Sequence, residues 1–93
     1  MTTITKSEFS RICRQIEDDR EIIIRSNPIG TREEILLWML LGVLGSYLNL
    51  SESDTPCFNG RPNADTYRDA IRFILNDRMA DDFEPDEFLM RLR

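Results

Sequence analysis

Cys57, Asn59 and Arg61 fall within the nine-residue stretch TPCFNGRPN. A thiol beside a guanidinium ionises more readily and can react as thiolate. Cys57 has no histidine base to take its proton, because the chain contains no histidine at all. His-assisted nucleophiles and His-ligated metals are excluded by the same absence. The stretch predicts a turn in which Cys57 and Phe58 serve as apolar anchors. A second cluster is acidic: Asp77, Asp81, Asp82, Glu84, Asp86 and Glu87. An EF-hand loop needs alternating acids, a central glycine and a closing glutamate. Here there is no glycine and Pro85 interrupts, so Asp86 and Glu87 read as favourable charges in the first turn of a helix. Neither pattern calls for a metal, a cofactor or an enzyme.

Three arginines complete the set. Arg20 sits between Ile16 and Ile23–Ile24, and Arg78 follows Ile74 and Leu75. At helical spacing both fall within apolar stripes, where a guanidinium must snorkel out or meet an anion. The functional reading is an anion, a small ligand or an acidic peptide held by Arg20, Arg61 and Arg78. The alternative, which the sequence favours, is structural ion pairing with Glu52, Asp54 or Asp81–Asp82.

The elements that must position these residues are helices. Thr5 and Glu8 have capping-box spacing, with Ile4 and Phe9 placed as a hydrophobic staple. Phe9, Ile12, Cys13 and Ile16 then repeat at i, i+3, i+4, i+7, which predicts an amphipathic helix from Lys6 to Arg25. The Ile22–Ile24 run resembles a strand, but no second strand-like segment is available to pair with it. Asn27-Pro28-Ile29-Gly30 predicts a type I turn. Thr31 and Glu34 form a second capping box for a helix reaching Leu50. Residues 51–63 carry Thr-Pro, Asn-Gly and Arg-Pro breakers and predict a long loop. A third helix is expected over Ala64–Met79 and a short fourth over Pro85–Leu92, with Phe83 and Phe88 at staple spacing. The expected architecture is an all-α bundle of four helices in one domain.

The second helix is the unusual one. From Ile35 to Leu41 it has no polar side chain, and on a helical wheel its aliphatic residues sweep about 200°, twice what a surface helix needs. The remaining arc carries Trp38, Gly42, Gly45 and Asn49. Sixteen residues from Ile35 to Leu50, diluted by two glycines, fall short of the ~20 needed to span a bilayer. Packing against the first and third helices accounts for the aliphatic arc. The Trp38–Gly42–Gly45–Asn49 side is left without a cover, and an exposed Trp38 forgoes about 2–3 kcal/mol of burial. A second subunit is the expected cover, giving a homodimer; the alternative is a monomer whose own termini or loop close that side.

Composition sets the remaining bounds. Ninety-three residues with 41% apolar and 31% charged side chains form one small globular domain. Net charge is −5, and no segment is basic: five basic residues balance five acidic ones over residues 1–30, and eight acidic oppose five basic over 64–93. Nucleic acid is an unfavourable partner for such a chain, because phosphate binding rests on clustered Lys and Arg. Met1 to Lys6 has no apolar run behind it and does not read as a signal peptide. Cys13 and Cys57 are two isolated thiols whose spacing decides little, and without a signal-peptide pattern the expected compartment is the cytoplasm. The expected function is non-enzymatic: a self-associating interaction or regulatory module.

Overall fold

The computed structural model describes residues 2–93. It is all-α, with the helices α1 (Lys6–Asp18), α2 (Arg20–Ser26), α3 (Arg32–Tyr47), α4 (Ala64–Leu75) and α5 (Asp86–Leu89), and one 3-10 turn at Glu52–Asp54. The first and second predicted helices start as expected. Thr5 Oγ1 accepts from Glu8 N while Glu8 returns to Thr5 N, and Thr31 and Glu34 repeat the arrangement. Ile4 and Phe9 are both fully buried in one core with Leu36, Leu37, Leu40, Leu44, Ile71 and Ile74.

The predicted helix Lys6–Arg25 is two helices. It breaks at Asp19, whose φ of −94° and ψ of 8° leave the helical region. Glu17, Asp18 and Asp19 explain the break. At the end of α1 they oppose the negative pole of the helix, whereas Asp18, Asp19 and Glu21 lie favourably at the start of α2. The Asp19 N–H still donates to Gln15 O at 3.0 Å and the Ile23 N–H to Asp19 O at 3.0 Å, so the backbone stays bonded through the bend. Ile23 and Ile24 pack on the core, while Arg20 is exposed rather than set in an apolar surface.

The second predicted helix ends at Tyr47 instead of Leu50. Asn49 takes φ 55°, its N–H donates to Ser46 O, and the Leu50 N–H donates to Gly45 O. This is a Schellman stop with asparagine in the left-handed position. The third predicted helix ends at Leu75, not Met79. Its last residues are needed elsewhere: Ile4 N–H donates to Arg78 O and Ala80 N–H to Ile4 O, both at 2.8 Å, forming a parallel bridge between Ile4 and Met79. The fourth predicted helix is one turn long, with Pro85 just before it, and Phe83 and Phe88 pack together with Phe9.

Two ion pairs fix the direction of α4. Arg68 near its start meets Glu33 in the first turn of α3, and Arg78 beyond its end meets Asp54 beyond the end of α3. The two helices therefore run side by side in the same direction. Residues 51–63 must carry the chain back along α3, a path of about 24 Å at 1.5 Å per residue. Thirteen residues, reaching at most about 45 Å when extended, are enough for that return. The long loop is a consequence of parallel packing.

Candidate interaction surface

α3 contacts α1, α2 and α4, which together bury Ile35, Leu36, Leu37, Leu40 and Leu44. The opposite side is left uncovered. Trp38 is 48% exposed, and Gly42, Ser46 and Asn49 are exposed as well. A Cβ added at Gly42 or at Gly45 would meet nothing within 4 Å. The returning loop lies along one flank, with Thr55 and Phe58 on the far wall of an open groove of about 750 Å³ that also takes in Leu50. The four residues marked by the sequence thus lie on one surface. Asn49 reaches it from the helix stop rather than from the helix itself.

Trp38 also walls a second, smaller cleft of about 410 Å³ between the α2–α3 turn and the start of α4. Pro28, Ile29, Pro62 and Tyr67 supply its apolar sides and Arg61 its cation. Gly30 takes φ 101°, which a side chain would strain, and a Cβ there would stand 3.1 Å from Arg61 Nη2. Hydrogen bonds from Thr31 hold the Glu34 carboxyl below the usual carboxylate range, with the Arg61 charge adding a smaller push. Burial raises the Tyr67 hydroxyl, and the Glu34 charge adds to it. Sequence reading passed over this cleft. Ile29 gave the available signal, as an isoleucine in a Pro-Ile-Gly turn, and it is 82% exposed.

The three arginines do not converge. Arg61 lines the small cleft, and neither Arg20 nor Arg78 does. Arg78 donates from Nη1 to Ile74 O at 3.0 Å and lies 3.5 Å from Asp54 Oδ1 through Nη2. Arg20 stands exposed at the start of α2. The small cleft thus brings Arg61, but not Arg20 or Arg78, together with Trp38 and Tyr67. The thiols are separate too: Cys13 is buried, while Cys57 is exposed and does not anchor its turn. That role falls to Phe58, whose ring meets Tyr67 edge-on at 5.6 Å. Burial pushes the Cys13 thiol up to about 12, so it is neutral at physiological pH. Among the described residues, no group of three or more acids and cysteines is arranged to hold a metal ion. No helix among the described residues is long and apolar enough to cross a membrane. In comparisons with known proteins, no family model, no curated protein and no solved structure matches this chain.

Proposed function

We propose that this chain is a non-enzymatic, self-associating interaction module, and that its contact surface is the Trp38–Gly42–Gly45–Asn49 side of α3. Two glycines at open positions in α3 carry the reading. Each costs a helix about 1 kcal/mol relative to alanine. At Gly42 and Gly45 no neighbour within the chain stands where a Cβ would go, so packing inside the subunit does not require them. An external backbone in close approach does. Trp38 beside them supplies an aromatic anchor of the kind that dominates interface energetics. Placement in the cytoplasm fits the two unpaired thiols.

Solution mass by light scattering tests the proposal, read beside helicity and melting temperature. The wild type is expected to be a dimer. Trp38→Ala removes the anchor, and Gly45→Leu overpacks the contact at a cost of about 1–3 kcal/mol. Both should lower the mass with helicity retained. A monomeric wild type, or variants that stay dimeric, overturns the reading.

The small cleft supports a second reading. Its volume of about 410 Å³ lies within the range of small-molecule sites, and Trp38, Tyr67 and Arg61 suit an apolar body carrying a carboxylate. Trp38 is the only tryptophan, so its emission reports on both surfaces. Quenching by an aromatic carboxylate that is lost in Arg61→Gln supports this reading, and an unresponsive signal removes it.

A further inference from the structure

In the cleft beside Arg61, the polar side chains divide into free donors and one engaged acid. The Arg61 guanidinium, the Trp38 indole and the Tyr67 phenol all line it. Among the described residues, none of the three side chains makes a hydrogen bond, and Arg61 joins no ion pair. Guanidinium and indole can only donate, and the hydroxyl can donate as well as accept. Glu34, the acid of the cleft, is engaged in the cap of α3, where its Oε1 accepts from Thr31 N–H at 3.0 Å. It stands near Arg61 across Gly30. A Cβ on that glycine would lie 3.1 Å from Arg61 Nη2 and 3.7 Å from Glu34 Oε1. The cleft therefore offers one uncommitted positive charge with one fixed negative charge close by.

Resting on the small-ligand reading of this cleft, we infer that Glu34 sets the charge its ligand can carry: the cleft takes an aromatic monocarboxylate and discriminates against a dianion such as an aryl phosphate. The guanidinium fork matches the two oxygens of one carboxylate. A second negative charge on the ligand finds no second cation, because Arg61 is the one basic residue lining the cleft, and it is repelled by Glu34 instead. An amine in the same place meets Arg61 as a like charge. Glu34 has little freedom to withdraw. Turning it away breaks the capping box, and the hydrogen bonds from Thr31 that hold its carboxyl below the usual range also oppose its protonation. Gly30 is the positioning residue. At its φ of 101° a side chain would strain the turn and displace the guanidinium that lies against it. The indole and the phenol ring suit an aromatic body, and a volume of about 410 Å³ suits a small one.

Trp38 emission follows the binding of three one-ring probes: benzoate, benzamide and phenyl phosphate, at pH 8, where the phosphate is a dianion. The wild type is expected to bind benzoate about tenfold more tightly than either of the others, the worth of one partly screened charge contact. Glu34→Gln keeps a side chain that can close the capping box and removes the charge. It should retain benzoate and narrow its advantage over phenyl phosphate to about threefold or less. Arg61→Gln should abolish the preference for benzoate over benzamide. A wild type that binds phenyl phosphate as tightly as benzoate overturns the role of Glu34 and leaves the carboxylate reading standing. So does a folded Glu34→Gln whose benzoate-to-phosphate ratio equals that of the wild type. If that variant fails to fold, the wild-type ratio alone decides the point. Benzoate that binds no better than benzamide, or that binds Arg61→Gln equally well, removes the carboxylate reading and this inference with it. Emission that no probe moves does the same.

Discussion

Glu8 joins two helices through one carboxylate. One oxygen accepts from Thr5 N–H at 2.9 Å to close the capping box of α1, and the other accepts from the Tyr47 hydroxyl at the end of α3. The Tyr47 bond is the largest reason the Glu8 carboxyl lies below its ordinary 4.5, with the Thr5 bonds next. A carboxylate lowered in the folded state stabilises it fully above the unfolded value. That contribution is lost as pH falls through the lower, folded value. The acid side of the stability profile therefore carries a Glu8 component below about pH 4.5. Tyr47→Phe should move the Glu8 titration upward towards 4.5, measured by the pH dependence of its carboxyl carbon resonance. An unmoved titration would assign the effect to the cap alone. The capping role of Glu8 was legible from its spacing to Thr5. Its second role was not, because it depends on Tyr47 arriving from 39 residues away.

At the scale of elements, the signals that act within four residues were readable and those that depend on distant neighbours were not. Both capping boxes and the 51–63 loop lie where the sequence puts them. The break at Asp19 was missed because helical periodicity on either side masks a charge conflict that only the helix poles reveal. The end of α4 was missed because the bridge between Ile4 and Met79 involves one residue on each side and leaves no alternating pattern. The uncovered side of α3 was legible from its wheel, whereas the cleft at Arg61 forms only once the loop returns along α3. Arg20 was misplaced for the same reason as the break. The caps give a direct test. Thr31→Ala removes the acceptor for Glu34 N–H and should cost about 1 kcal/mol. Thr31→Ser should restore most of it, and denaturant midpoints of the three proteins check the order. Equal midpoints would mean that packing alone holds the start of α3.

For the whole molecule, parallel packing of α3 and α4 places the start of α4 beside the start of α3 and leaves the far end to be closed by other means. The first residues do this. Ile4 is fully buried, its backbone bonds both Arg78 and Ala80, and the Lys6 N–H donates to Asp81 Oδ1 at 2.7 Å. This clasp joins positions about 75 residues apart. Local helices and the α3–α4 contact reward the chain earlier than such a closure can, because bringing distant ends together is repaid only once the intervening chain is compact. The clasp should therefore form after the rate-limiting step of folding. Ile4→Ala, which empties a fully buried site, should cost about 2–4 kcal/mol. Nearly all of that loss should appear as faster unfolding, with the refolding limb of the chevron unchanged. A slowed refolding limb would place the clasp in the nucleus instead. The N-terminal segment thus acts as a latch on lifetime: it sets how long the folded chain persists, while the helices behind it set how quickly it forms.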